Sequence, residues 1–297
     1  MKISLAPISY YWPRQTVFDF YAEIAKSTVD IVYLGETICY KRKELRLEDW
    51  LELGDFLAAS GKEVILSTQA LIEANAELNH LRKICRNSQF VVEANDIAAV
   101  QLLTEIAVPF VAGPTINIYN HHTLACLTEL GLKRWVMPVE LGRETLEDIH
   151  NHSKTLKHTA ETEVFAYGKL PLAYSARCFT ARAKNLQKDN CQLSCLNYPE
   201  GLLVNSQEDQ RLFTINGIQT QSAQVYDLRP HWQDMRLIGV DIMRISPQEF
   251  DTAQIIDSLY NAIHNQDTFL SLITDNCDGY WFGRAGLEQC SSLKQLE

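Results

Sequence analysis

The sequence predicts an α/β fold: a (β/α)8-type, TIM-like barrel. Three observations point there. Short apolar runs alternate along the chain with segments of helical spacing, the order of βα units around a parallel sheet. Most of the runs are continuous rather than alternating, as in strands buried on both faces. About eight such units fit 297 residues, a size ordinary for one barrel domain.

The candidate strands are Ile3–Ile8, Ile31–Gly35, Glu63–Ser67, Phe90–Glu93, Pro109–Ala112, Arg134–Pro138, Glu163–Tyr167 and Leu237–Ile242. Helical spacing lies between them. Leu53, Phe56 and Leu57 precede Gly61, a C-terminal stop. Asp96 is placed to cap a helix carrying Ile97, Val100 and Leu103, and Asn120 one carrying Leu124, Leu127 and Leu130. Ser246-Pro247-Gln248-Glu249 has the capping-box form, ahead of Ile255, Leu259 and Ile263 at helical spacing. The competing architecture is a doubly wound open sheet.

The alternation breaks after residue 175. Residues 176–200 are polar and cysteine-bearing. Leu202–Val204, Arg211–Ile215 and Ala223–Leu228 then read as short antiparallel strands, with Asn216-Gly217 as a tight turn. The expected organisation is a single domain over 1–297, with an insertion at 176–230 after the seventh strand.

Hydrophobic content of 46% and charged content of 22% are those of an ordinary globular chain. The net charge of −10 argues against a nucleic-acid binder, which needs a basic face. The run Lys41-Arg42-Lys43 is too short to change that. The opening Met1-Lys2-Ile3-Ser4-Leu5-Ala6-Pro7 is not a signal peptide, and no stretch has the apolar length of a membrane span. The expected location is cytoplasmic. Cysteines there stay reduced, and a cluster of them points to a metal or redox site.

Three of the eight cysteines, Cys178, Cys191 and Cys195, are spaced C-x12-C-x3-C. Cys39 follows the second candidate strand, and Cys178 follows the seventh. In an α/β barrel the loops after strand C-termini open on one face, so Cys39 is the best fourth ligand. Four thiolates suit zinc or an iron–sulfur cluster. Structural zinc favours two compact pairs, so the scattered set fits a [4Fe–4S] cluster better. Arg177, Arg182 and the run from Lys41 to Lys43 are placed to offset its charge, or simply to face solvent. Cys85 and Cys126 read as core residues on helices. Cys277 and Cys290 are the reserve ligands if Cys39 points away.

Motifs for a zincin, a serine-hydrolase elbow, a phosphate loop and a dinucleotide fingerprint are missing from the sequence. Tyr10-Tyr11-Trp12 should sit at the barrel mouth, to pack it or to stack a ring. Glu36, Glu93, Asn95, Asn117 and Glu140 fall near strand C-termini as candidate pocket groups. His121-His122 and the pair His150 and His152 read as structural or solvated.

The segment Gly168 to Arg182, GKLPLAYSARCFTAR, together with Cys191 and Cys195, resembles the collagenase-like peptidase-U family. Within that family it is similar to the branch serving oxygen-independent ubiquinone biosynthesis. Ile3 to Pro7, Tyr33 to Cys39 and Gly279-Tyr280-Trp281 carry the same resemblance, which spans nearly the whole chain. The resemblance implies a [4Fe–4S] cluster on Cys39, Cys178, Cys191 and Cys195. It implies a heterodimer with a homologous, UbiU-like subunit that has its own cluster, and help from a UbiT-like lipid-binding protein. The pair would be required for hydroxylating the aromatic ring of ubiquinone precursors without O2, with prephenate as oxygen donor. Four protein thiolates leave no open iron position, which favours electron transfer or a structural role. Catalytic residues stay unassigned. The alternatives are a peptidase-like hydrolase, which no motif supports, and a non-catalytic iron–sulfur scaffold.

Overall fold

The computed structural model describes residues 1–155, 160–265 and 276–290. Seven strands follow one another in sequence and in space: β1 (Lys2–Leu5), β2 (Ile31–Leu34), β3 (Glu63–Ser67), β4 (Val91–Ala94), β5 (Phe110–Ala112), β6 (Leu132–Val136) and β7 (Glu161–Tyr174). All pair in parallel. The eighth barrel strand, β11 (Ile242–Ile245), pairs in parallel with both β1 and β7 and closes the ring. That double pairing makes the sheet a TIM-like (β/α)8 barrel rather than an open doubly wound sheet. Continuous apolar runs such as Ile31-Val32-Tyr33-Leu34 are buried throughout, because helices cover one face and the lumen the other.

The helices between strands are α1 (Arg14–Ile24), α2 (Leu47–Ala59), α3 (Asn75–Cys85), α4 (Ile97–Glu105), α5 (His121–Glu129) and α6 (Arg143–Thr155). Two predicted caps are present. Asp96 accepts from the Ala98 amide at 2.7 Å and Asn120 from the Thr123 amide at 2.9 Å, each supporting its helix by about 1 kcal/mol. Gly61 follows α2 with φ +88°, as a stop residue should.

The lumen holds a buried apolar cluster, Ile31, Ile65, Val111, Val136 and Ile242, and beside it a polar network. Glu163 accepts from Ser4 at 2.6 Å, from Tyr33 at 2.5 Å and from Arg244 at 3.1 Å. Arg244 also pairs with Glu93 at 2.9 Å, and Ser67 donates to Glu93 at 2.6 Å. These ions are buried, so their stability depends on the network being complete.

Past Gly168, β7 leaves the barrel and continues as the first strand of an antiparallel layer. β10 (Gln219–Asp227), β9 (Arg211–Asn216) and β8 (Leu202–Asn205) follow in that spatial order. The short β12 (Asn276–Cys277) adds to β10. A five-residue helix, α7 (Phe179–Ala183), and two 3-10 turns, Lys188–Asn190 and Ser194–Asn197, carry the cysteines across the barrel mouth.

Several expectations are corrected. The eighth strand is not Leu237–Ile242. Residues Trp232–Leu237 form α8, and Gly239 at φ +94° ends the turn before β11. Helix α9 runs Thr252–Asn265 rather than starting at Ser246. The Ser246 amide instead bonds the Tyr167 carbonyl at 2.8 Å, extending the strand ladder, and Thr252 Oγ1 receives the Gln248 amide at 3.0 Å. Cys126, expected in the core, is exposed, whereas Cys85 is buried. Among the described residues no helix is long and apolar enough to cross a membrane.

Candidate functional site

Cys39 lies in the loop after β2, whose sharp turn is held by Glu36. That carboxylate accepts from the amides of Ile38 at 2.8 Å and Cys39 at 3.0 Å. Cys178 is the N-cap of α7, and its Sγ accepts from the Ala181 amide at 3.5 Å. Cys191 closes the first 3-10 turn and Cys195 sits within the second. Between them Gln192 and Leu193 both take positive φ, at 51° and 50°, which reverses the chain so that both cysteines approach the same place.

The four cysteines line one small cavity, together with Lys41, Arg42, Thr180 and Gly217. All four are half-buried free thiols. The reserve candidates Cys277 and Cys290 are not among its walls, and Cys277 is fully buried in β12. Among the described residues, no three His, Cys, Asp or Glu side chains form the close grouping that holds a single metal ion.

The cavity is electropositive on one side. Arg42 is buried and donates to the Ser9 carbonyl and to Asn216 Oδ1, each at 2.7 Å. It lies 3.8 Å from Glu36, and among the described residues its buried Nε has no hydrogen-bond partner. Burial pushes the Cys195 thiol up, and the charge of Arg42 opposes that shift. Burial also raises Cys39, again against Arg42. Both are therefore protonated thiols at neutral pH, and a metal that took them as ligands would displace those protons. The donor set of four thiols beside a buried guanidinium fits an anionic thiolate-bound cluster.

Contacts across the mouth hold the cysteine segment down. Lys41 Nζ donates to the Lys188 carbonyl at 2.8 Å and pairs with Asp189 at 2.9 Å. Lys188 pairs with Glu73 and reaches the Ala176 carbonyl. Thr180 Oγ1 accepts from the Gly217 amide at 2.9 Å, docking the Asn216-Gly217 turn on α7. Trp12 Nε1 donates to the Pro199 carbonyl at 2.8 Å.

With this geometry in place, comparison with known proteins supplies the family. A model of peptidase family U32 matches residues 18–265. The chain belongs to peptidase family U32. The solved U32 peptidase Mk0906 aligns over 84% of this chain and 93% of its own, at 13% identity and TM-score 0.46. A truncated 3-deoxy-D-arabino-heptulosonate 7-phosphate synthase from Thermotoga maritima aligns over 89% and 86%, at 9% identity and TM-score 0.44. The spore cortex-lytic enzyme SleL of Bacillus megaterium QM B1551 aligns over 91% and 74%, at 12% identity and TM-score 0.42.

In this U32 chain the other candidate groups disperse. Glu93 and Asn95 are buried, Asn95 bonding the Thr68 carbonyl at 3.0 Å and Glu93 at 3.2 Å. Asn117 is in the left-handed region at φ 60°, and Glu140 accepts from Tyr119. Tyr10, Tyr11 and Trp12 are buried and pack the barrel top. His150 bridges the Ile238 carbonyl and Thr162, both at 2.9 Å, a structural role. Sequence reasoning undervalued Arg42, half-discounted as surface, and missed Gly217. The signals were available: Arg42 lies three residues from Cys39, and Gly217 sits in the predicted turn.

Proposed function

We propose that this U32-family chain is an iron–sulfur protein of the UbiV type, required for O2-independent hydroxylation of the aromatic ring in ubiquinone biosynthesis. In this reading Cys39, Cys178, Cys191 and Cys195 hold a [4Fe–4S] cluster. The partner is the homologous UbiU, a UbiT-like protein presents the lipid, and prephenate supplies the oxygen. The observation that carries the reading is the convergence of those four cysteines, from both sides of the barrel sequence, on one cavity beside buried Arg42. When bound, such a cluster supplies single-electron transfer at a potential tuned by nearby charge and hydrogen bonds.

The chain's own residues have separable tasks. Glu36 fixes the Cys39 loop through two amides. Arg42 ties that loop to the β9 turn through Asn216 and places a positive charge at the cavity. Lys41 fastens the segment carrying Cys191. The test uses the Cys191→Ser variant, purified without O2 together with the UbiU-like partner. The reading expects partner binding to persist while hydroxylation of a ubiquinone precursor is lost. Hydroxylation at the wild-type rate would refute it. Lost partner binding would favour the scaffold alternative.

A further inference from the structure

A second cavity, of about 340 Å³, opens on the same end of the barrel between the ends of β2 and β3 and helices α2 and α3. That size is typical of small-molecule sites. Its walls mix apolar side chains with charges of both signs, the carboxylates being Glu36 and Glu48. Leu34, Leu66, Ile84 and Trp50 give it an apolar interior. Lys43, Arg46 and Lys83 stand at it as exposed cations. Among the described residues no carboxylate lies within 4.0 Å of the Lys43 or Lys83 ammonium, whereas the Arg46 amide donates to Asp49 at 2.7 Å. In a chain of net charge −10, Arg42, Lys43, Arg46 and Lys83 outnumber the wall carboxylates Glu36 and Glu48, which leaves the hollow locally positive.

The aromatic rim is built around the same cations. Lys43 Nζ lies 4.3 Å from the centroid of the Tyr40 ring, and His80 meets that ring edge-on at 5.7 Å. Burial holds His80 below the usual imidazole range, Lys83 and Lys43 add to this, and Glu48 opposes it. Gln69 also lines the cavity, and among the described residues its buried Oε1 has no hydrogen-bond partner. An acceptor is therefore present in the wall for a ligand that carries a donor. Arg42 belongs to the walls of both this cavity and the cysteine cavity.

We propose that this cavity is a binding site for a small ring carboxylate, its ring between Trp50 and the leucine wall and its carboxylate between Lys43 and Lys83. Among the described residues no cysteine lines this cavity, so its ligand can be tested apart from any cluster on the thiols. Through Arg42 it adjoins them, so a ligand there is positioned to act next to the cysteine cavity.

The test titrates the full chain with benzoate, following heat and tryptophan fluorescence, with Trp50→Phe to assign the signal among the five tryptophans. Benzyl alcohol and inorganic phosphate are the controls. The site predicts one benzoate per chain, with binding at least ~10-fold weaker for either control. Lys43→Ala and Lys83→Ala should each weaken benzoate by roughly 10-fold, the scale of one charge-assisted contact. Both side chains are exposed, so these variants should fold, which circular dichroism checks. The His80 imidazole, followed by NMR, should titrate at higher pH when benzoate is bound, because the carboxylate offsets Lys43 and Lys83. No benzoate binding, benzyl alcohol or phosphate binding as well as benzoate, or unchanged binding in both lysine variants would overturn the proposal. The Cys191→Ser protein should bind benzoate like the wild type, so a failed cluster reading leaves this result standing, and the reverse also holds.

Discussion

Replacing Arg42 by methionine should destabilise the protein by about 3–5 kcal/mol, the usual cost of removing one partner from a buried ionic arrangement. The change nearly conserves volume, so packing loss is a small part. What goes is a buried cation that donates at 2.7 Å to both the Ser9 carbonyl and Asn216 Oδ1. Hydrogen bonds from a charged donor contribute ~1.5–3 kcal/mol each. The pair with Glu36 adds less, since it spans 3.8 Å and the Glu36 side chain keeps 18% exposure. At roughly 2 °C per kcal/mol for a chain of this size, the melting temperature should fall by about 6–10 °C. Urea unfolding followed by circular dichroism measures it. Arg42→Lys should fall between, because an ammonium lacks the planar fork that spans Ser9 and Asn216. A loss below about 1 kcal/mol for Arg42→Met would refute the view that this residue joins the barrel to the β9 turn.

Other consequences follow from the same geometry. A methyl at Gly113 would stand 1.8 Å from Asn95 Oδ1, whose amide is pinned to Thr68 and Glu93, so Gly113→Ala should cost about 1–3 kcal/mol in the same assay. Glu163→Gln takes the charge from a carboxylate serving Ser4, Tyr33 and Arg244, and should cost ~3–5 kcal/mol with unfolding still cooperative. At the opposite end of the barrel, burial alone would raise Glu161, but the hydrogen bond and charge of Arg134, with Lys2, hold its carboxyl below the ordinary 4.5. Its contribution is therefore complete above that value and lost as pH falls through the lower folded one. The acid limb of a stability–pH curve should be shallower in Glu161→Gln than in the wild type.

The barrel was legible in the sequence because its strands are short and buried on both faces, so periodicity and composition agreed at β2, β3, β5 and β6. The eighth strand was misplaced for a physical reason. Leu237-Ile238-Gly239-Val240 is one apolar run, yet it spans a helix end and a loop, and Leu237 is 84% exposed. Gly239, read as part of a strand, is the turn residue. The polar network of the lumen was half legible: Glu93 stood out at a strand end, while Arg244 lay beyond the predicted eighth strand and Glu163 was only the first residue of the seventh. Periodicity cannot tell a charge facing the lumen from one facing solvent. At the cysteine cavity, topology did what spacing could not. Once strands two and seven belong to one closed ring, Cys39 and Cys178 share a mouth, and the reversed backbone at Gln192 and Leu193 brings in the other two.

The iron and acid-labile sulfide content of the protein purified without O2 tests the central claim most directly. Four thiolates around one cluster predict a brown protein with about four irons and four sulfides per chain, falling sharply in Cys39→Ser as well as in Cys191→Ser. Colourless protein with a single zinc per chain, or iron content unchanged when Cys39 is replaced, would contradict it.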